Sequence, residues 1–200
     1  MRKILTPRFF EQSTLTVARN LLGKYLVRRL PSGKKISAMI TDVEVYDGFR
    51  DRASHAHKGK TKRNFVMFGP AGVWYVYFTY GIHWLLNAVC GKKGYPAAIL
   101  IRSVAVSGGE APKIKSHWSA RSPAVKYILL QGPARVTKFF KIDGRFNNKK
   151  ADKKTKLWIE NRGIKINTKS TECLPRIGVT YAGKIWATKP YRLTLYYKFD

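Results

Sequence analysis

Hydrophobic and polar residues alternate over several stretches of this chain, which is the pattern of strands with one buried face. Stretches of this kind predict strands over 24–30, 35–46, 72–79, 82–89 and 97–104. Short turns rich in Gly, Pro and Ser separate neighbouring strands, as at Pro31-Ser32-Gly33. Because short turns join antiparallel neighbours, the pattern predicts a mainly antiparallel sheet.

Two helices are predicted beside these strands. Ser13 or Thr14 can cap the first and Gly23 can end it, and the second is predicted over 134–141, after Gly132-Pro133. The remaining segments are predicted to be loops at 47–64 and 107–123, a basic mobile connector at 143–156, and short strands at 158–159, 164–166, 176–186 and 192–197. Together the elements predict an α+β fold, a single mixed domain over residues 1–200.

A carboxylate on the second strand is the first candidate for chemistry. Alternation puts Asp42, Glu44 and Tyr46 on one face, and we expect Ile40 and Val43 not to share that face. A carboxylate that is partly desolvated beside an aromatic ring can have a raised pKa and act as a general base. The other interpretation is an ordinary strand glutamate paired with one of the many lysines or arginines, and spacing alone favours it.

An aromatic hairpin is predicted where the strands over 72–79 and 82–89 meet. Trp74 and Phe78 are expected in a core, whereas Tyr75 and Tyr77 on the opposite face can stack on a nucleobase. Tyr80 lies at the predicted tip, where a ring can act as a wedge in a duplex. A turn tyrosine on the surface fits the same pattern equally well.

Charge narrows the class of partner. Lys and Arg number 39 against 11 Asp and Glu, a formal net charge of +28. Neutralising phosphates releases condensed counterions, so the excess favours nucleic acid over a merely solvated basic surface. The sequence contains neither an amphipathic basic helix nor an apolar run of about 18 residues, so no membrane association is expected.

The remaining chemistry-bearing residues give weaker signals. Cys90 and Cys173 are too few for a multi-cysteine zinc site or a secreted disulfide framework. His55 and His57 lie near Glu44 and Asp51 in sequence, and together these side chains could hold a metal. A histidine in a loop more often forms a hydrogen bond or stacks on a ring than binds a metal, so no metal is expected. The N-terminus lacks the apolar segment of a signal peptide, and an intracellular location is expected.

The chain also resembles the alkyladenine (3-methyladenine) DNA glycosylases over nearly its whole length. The stretches that carry the resemblance include Glu44-Val45-Tyr46, His55, Arg63-Asn64 with Met67, Tyr75-Val76-Tyr77, Tyr80-Gly81, Asn87, Leu100-Ile101-Arg102, Arg176-Ile177-Gly178-Val179, Lys189-Pro190 and Arg192. So many matches in order make coincidence improbable. The resemblance implies a curved antiparallel sheet with a protruding β-hairpin that enters DNA.

The resemblance also implies roles for individual residues. Glu44 and Arg102 would be catalytic, Glu44 by activating water and Arg102 by arranging that water and a phosphate. The base pocket would comprise Tyr46, His55, Tyr77, Asn87 and Leu100. Tyr80 would enter the minor groove and fill the gap left by a flipped base. The loop and DNA-backbone contacts would come from Arg63, Asn64 and Met67.

The implied activity is monofunctional base-excision repair. The enzyme would bind double-stranded DNA that contains damaged purines, as an intracellular monomer, without a cofactor, and would leave an abasic site. The preferred lesion stays open. Three rivals also stay open: a non-catalytic nucleic-acid-binding protein, a metal-dependent nuclease using Glu44, His55 and Asp51, and a bifunctional glycosylase with an activated lysine.

Overall fold

Ten strands form one curled antiparallel sheet in the computed structural model, which describes residues 2–107 and 127–195. They are β1 (Lys3–Ile4), β2 (Tyr25–Arg29), β3 (Lys35–Asp47), β4 (Trp74–Thr79), β5 (His83–Val89), β6 (Ala97–Ser107), β7 (Tyr127–Gln131), β8 (Leu157–Asn161), β9 (Thr171–Leu174) and β10 (Arg192–Leu195). The strand order is β1-β8-β2-β3-β6-β5-β4, with β10 between β3 and β9 and with β7 beside β6. The predicted α+β class is confirmed.

Few helices accompany the sheet in the described residues. They are α1 (Pro7–Phe10), α2 (Thr14–Leu21), α3 (Pro133–Phe140) and α4 (Lys184–Thr188). Both predicted helices are confirmed as α2 and α3. In α2 the buried Val17, Ala18 and Leu21 form one stripe against the sheet. Gly23, just after the helix, has a positive φ of 78°, a conformation that commonly ends helices and that glycine adopts without steric strain. None of the described helices is long and apolar enough to span a membrane.

A β-bulge in β3 decides which of its side chains face the core. The register with β6 shifts on both sides of Asp42. Inward-facing residues are therefore even-numbered up to Ile40 and odd-numbered from Val43, as with Val45. The bulge explains why Ile40 does not share the face of Asp42, Glu44 and Tyr46, although simple alternation would place it there.

The sheet buries both of its faces. One face packs with α2 and α3 in the large hydrophobic core, which contains the inner residues of β3 and β6. The opposite face carries two smaller clusters, one around Tyr75 and Met67 and one around Ala53 and Val179. The irregular segment 48–64 and the segment that precedes α4 supply residues to these clusters. The second face holds the candidate site.

Several predictions for the second half of the chain are wrong. The segment 143–156 is not a mobile connector, because its backbone pairs along the edge strand β4: Trp74 donates to the Lys149 carbonyl (2.8 Å) and accepts from Asn148 N–H (2.9 Å). Such a cover protects an otherwise exposed strand edge. Two further strands, β7 and β9, form where none is predicted, and they pair with β6 and β10.

Neither of the strands predicted over 164–166 and 176–186 forms. Gly178 and Gly183 have φ values of 76° and 83°, which an extended strand cannot contain. Instead a 3₁₀ turn (Thr180–Ala182) and α4 occupy that region. The loop predicted over 107–123 falls, beyond residue 107, outside the described residues.

Candidate active site

One row of opposed residues crosses the second face of the sheet and carries most of the candidate site. Tyr75, Asn87, Leu100, Glu44 and Arg192 stand opposite one another on β4, β5, β6, β3 and β10. Opposed residues in antiparallel strands share a face. Residues up to 148 positions apart in sequence, such as Glu44 and Arg192, therefore lie in one line.

Glu44 is buried in the middle of this row, with 1% of its surface exposed. Its Oε2 accepts from the Tyr46 hydroxyl (3.0 Å), and its Oε1 accepts from the Ile177 backbone N–H (3.1 Å) and lies 3.2 Å from Arg102 Nη1. Burial raises the pKa of Glu44, while Arg102, the Ile177 N–H and the Tyr46 hydroxyl oppose that rise. The carboxylate is thus desolvated, yet donors surround its ionised form.

On one side of Glu44 lies a charged cavity, lined among others by Asp42, Arg102, Gln131, Gly132 and Arg192. Asp42 accepts from Arg192 in a bidentate pair (Nη2–Oδ2 2.8 Å, Nε–Oδ1 3.2 Å), and Arg102 Nε lies 3.7 Å from Asp42 Oδ2. Arg102 therefore bridges two acidic side chains. Burial raises the pKa of Asp42, and Arg192 followed by Arg102 opposes the rise.

On the other side lies a small aromatic pocket, open to solvent, with a cavity volume of ≈ 40 Å³. Its lining residues are Tyr46, Ala53, His55, Met67, Tyr75, Tyr77, Asn87, Ala98 and Tyr181. This volume is well below the range for drug-sized ligands, about 300–1,000 Å³. The pocket is therefore suited to a flat group of modest size.

The rings of the pocket are held by contacts with one another. The His55 and Tyr77 rings meet edge to face with centroids 4.6 Å apart, and His55 Nδ1 shares a hydrogen bond of 2.9 Å with the Tyr75 hydroxyl. Desolvation, with a smaller contribution from Arg63, lowers the pKa of His55 to about 4. Desolvation raises the pKa of Tyr75 to about 12. These two pocket side chains are therefore uncharged at neutral pH.

A buried ion pair joins the segment 48–64 to the C-terminal part of the chain. The Arg176 guanidinium donates to both oxygens of Asp51 (2.6 and 2.9 Å) and also to the Val45 carbonyl (2.7 Å). Both side chains have 0% exposure. The pair fixes Ala53 and His55 on one side, and Ile177 on the other, around Glu44.

The structure brings most of the predicted site residues together. Tyr46, His55, Tyr77 and Asn87 line the aromatic pocket beside Glu44. Asn87 is buried and donates to the Tyr75 carbonyl (3.1 Å), which orients its amide. Leu100 lies between Asn87 and Glu44 in the row rather than in the pocket lining.

The three residues expected at the loop and DNA backbone have different surroundings. Arg63 is exposed and lies over the Tyr77 ring, with its guanidinium carbon 5.2 Å from the centroid. Asn64 is buried, and its amide donates to the carbonyls of His55 (2.8 Å) and Gly59 (2.9 Å). Met67 is buried in the pocket wall. These positions favour a loop-stabilising role for Asn64 and a pocket role for Met67 over contact with a DNA backbone.

Tyr80 lies at the turn between β4 and β5, as predicted, with 86% of its surface exposed. Its φ of 52° is uncommon for a residue other than glycine. The prediction that Phe78 lies in the core is wrong, because 44% of its surface is exposed. Its ring packs on Trp84, with the two ring centroids 4.8 Å apart. This part of the hairpin extends past the core, so no core is available to Phe78.

Sequence reasoning missed Asp42, Arg192, Arg176 and Tyr181 as parts of the site. Asp42 gave a signal through the strand face that it shares with Glu44, and Arg176 and Arg192 gave one as members of the stretches that carry the resemblance, whereas Tyr181 gave none. Asp51, weighed as a metal ligand, is instead engaged by Arg176. Within 2–107 and 127–195, no three His, Cys, Asp or Glu side chains form a group that could hold a metal ion.

Comparison with known protein families identifies the family of this chain. The model of the methylpurine-DNA glycosylases matches residues 8–198. The chain belongs to the methylpurine-DNA glycosylase family. The predicted family and the predicted class of enzyme are thus confirmed, and the family acts on DNA, in base excision repair.

Relatives of similar length agree with this assignment. The chain is 39% identical over 195 residues to a protein of Methanocella arvoryzae, covering 94% of this chain and 90% of that protein. It is 38% identical over 194 residues to a protein of Legionella pneumophila (96% and 93% covered) and 37% identical over 177 residues to one of Ehrlichia chaffeensis (88% and 87%). All three bear the provisional name 3-methyladenine DNA glycosylase.

Proposed function

We propose that this glycosylase hydrolyses the N-glycosidic bond of alkylated or deaminated purines of the 3-methyladenine type, after flipping the base out of double-stranded DNA. Family membership and the names of its relatives support the substrate class. The observation that carries the mechanism is the position of Glu44, a buried carboxylate between an aromatic pocket and Arg102. The product is an abasic site on an unbroken strand.

Binding and flipping rely on charge and on Tyr80. A net charge of +28 favours contact with phosphates. Rotating a paired nucleotide out of the stack costs about a few kcal/mol, and less for a mismatched or damaged base. Tyr80 is the exposed ring at the hairpin turn, and we assign it to the gap that the flipped base leaves.

The aromatic pocket recognises the flipped base. Tyr46, His55 and Tyr77 offer ring surfaces for stacking. Many alkylated purines are cationic, and such a base is attracted to the faces of tyrosine rings. With a pKa lowered to about 4, a neutral His55 does not repel it. The buried Asn87 opposes bases with a 2-amino group by its bulk.

The chemical step uses Glu44, Arg102 and water. As the glycosidic bond breaks, its electrons leave with the base and the sugar gains positive charge, as in glycoside hydrolysis. Ionised Glu44 stabilises that charge and accepts a proton from the water whose oxygen bonds to C1′. Arg102, the Ile177 N–H and the Tyr46 hydroxyl favour the ionised form. Every step uses protein groups and water, and we infer an intracellular, DNA-associated monomer that needs no cofactor.

Single-turnover excision in the presence of EDTA tests the proposal. Duplexes that carry hypoxanthine or ethenoadenine are incubated with wild type, with Glu44→Gln, and with Glu11→Gln as an exposed control. We expect base release by wild type and by the control, and a rate about 10²–10⁴-fold lower for Glu44→Gln with unchanged DNA affinity.

Three results would contradict the proposal. Equal rates for Glu44→Gln and wild type would remove Glu44 from the chemistry. Strand cleavage that EDTA abolishes would indicate a nuclease. Borohydride trapping of the enzyme on DNA would indicate a Schiff base with a lysine, and therefore a bifunctional enzyme.

A further inference from the structure

Tyr181 lies between two cavities on the second face of the sheet. It lines the aromatic pocket and also a neighbouring groove, and His55 is the other residue common to both. We call this neighbour the basic groove; its other lining residues are Arg52, Ser54, His57, Lys58, Thr61, Ala182 and Gly183. Removing the Tyr181 ring would therefore join the aromatic pocket to the basic groove.

Contacts on two sides hold Tyr181 in place. The 3₁₀ turn that carries it (Thr180–Ala182) buries Ala182, which clusters with Val179 and Ala53. The Tyr181 hydroxyl donates to the Ala53 carbonyl (3.0 Å). The ring is nonetheless 70% exposed, so it is an anchored boundary at the solvent side of the pocket.

Four of the other lining residues lie deeper in the pocket and do not border the basic groove. Tyr75, Asn87 and Ala98 are buried on the sheet, and Met67 is buried behind them. Behind them the interior is close-packed, so shortening one of these side chains would deepen the pocket into the protein rather than lengthen it toward solvent. At the boundary that Tyr181 shares with His55, a second, solvent-open cavity lies directly behind the pocket wall.

We propose that Tyr181 is a specificity-determining wall that sets the size limit for the substituent on the excised base. This inference rests on the proposed function and extends it to a residue that the predicted site did not contain. A base whose substituent is larger than the pocket must extend past Tyr181 toward the basic groove. The ring blocks that path.

The ring and the hydroxyl have separable effects. The Tyr181 ring provides the wall, whereas its hydroxyl occupies the Ala53 carbonyl, an acceptor at the pocket edge. Desolvation raises the pKa of Tyr181, so the phenol stays protonated and able to donate at neutral pH. In Tyr181→Phe the wall remains and the carbonyl is released.

The test compares excision of small and large lesions by variants of Tyr181. Single-turnover rates are measured on duplexes that contain hypoxanthine, ethenoadenine or the larger benzetheno adduct of adenine. The variants are Tyr181→Ala, Tyr181→Phe and Tyr181→Trp, with Ile185→Ala, an exposed apolar neighbour outside the pocket lining, as control. Thermal unfolding verifies that each variant is folded.

We expect Tyr181→Ala to raise the rate ratio of the benzetheno adduct to hypoxanthine about tenfold or more, the scale of discrimination by pocket size. Tyr181→Trp should lower the ratio of ethenoadenine to hypoxanthine, and it keeps the test decisive if the alanine variant does not fold. Tyr181→Phe and Ile185→Ala should leave both ratios unchanged.

Unchanged ratios in both the folded alanine and tryptophan variants, with an active wild type, would overturn the role of Tyr181. A ratio that changes equally in Tyr181→Phe would overturn the assignment to the ring. Absence of excision by wild type on every lesion would instead overturn the proposed function.

Discussion

The two sides of Glu44 differ in the kind of interaction that they offer. The aromatic pocket presents rings, and its His55 and Tyr75 carry no charge at neutral pH. The charged cavity presents Asp42, held by Arg192, and Arg102, which reaches both Asp42 and Glu44. Glu44 contacts both sides, because it accepts a hydrogen bond from the Tyr46 hydroxyl and forms an ion pair with Arg102.

From this difference we expect recognition of the base and the chemical step to depend on different sides of Glu44. Stacking and shape depend little on protonation, so variants of the aromatic pocket should alter which base is bound. Charges near a buried carboxylate shift its pKa strongly because the low dielectric screens them poorly. Variants of the charged cavity should therefore alter the pH at which Glu44 works. Three further changes test this comparison.

The largest effect is expected where both sides depend on one contact, the Asp51–Arg176 pair. Asp51→Asn leaves the buried Arg176 without its counterion, and loss of one partner of a buried pair costs about 3–5 kcal/mol. We expect the free energy of unfolding, measured in denaturant, to fall by that amount. Both base recognition and turnover should weaken together, because the segments that frame Glu44 separate.

A double variant, Asp51→Leu with Arg176→Met, provides the control for that change. Replacing a buried pair by apolar residues is often close to neutral, so part of the lost stability should return. A loss of under about 1 kcal/mol in Asp51→Asn would contradict the view that this pair holds the site together.

Arg102→Gln should have the next largest effect and should act on chemistry alone. Arg102 is the largest influence that lowers the pKa of Glu44. Without it the pKa of Glu44 rises further, and the acid limb of the rate profile moves to higher pH. We expect single-turnover rates at neutral pH to fall about 10²-fold, as for loss of one stabilising donor.

The same substitution at Arg135, which is exposed on α3, controls for the loss of one positive charge. A uniform loss of rate with an unmoved acid limb would show that Arg102 acts on DNA binding and not on the protonation of Glu44.

The smallest effect is expected at His55, in the dependence of stability on pH. Its folded pKa of about 4 lies below the value of 6.5 for a free imidazole. As pH falls below 6.5 the unfolded chain binds this proton first, so stability is present above that pH and is lost toward pH 4. Because His55 is partly exposed, the loss should be modest.

His55→Gln should flatten the fall in stability between pH 6.5 and pH 4, measured by denaturant unfolding at several pH values. His57→Gln serves as the matched loop control. An identical pH dependence in wild type and in His55→Gln would mean that water reaches the His55 ring freely.

The long strands and the two helices could be predicted because local patterns encode them. β3 and the hairpin of β4 and β5 follow the alternation of their own residues, and α2 follows its cap, its stripe and Gly23. The edge segment 143–156 could not be predicted, because its order comes from pairing with Trp74, about seventy positions away. A polar, lysine-rich composition does not reveal a partner at that distance.

The candidate site divides in the same way. The sequence by itself determined that Asp42, Glu44 and Tyr46 share one strand face, and that a tyrosine lies at a hairpin turn. Tertiary structure alone decided that Arg192 stands beside Glu44, that Arg176 pairs with Asp51, and that Tyr181 borders the aromatic pocket. The physical reason is that side-chain periodicity is a local property, whereas the pairing of strands and the burial of charges depend on which distant segments fold against each other.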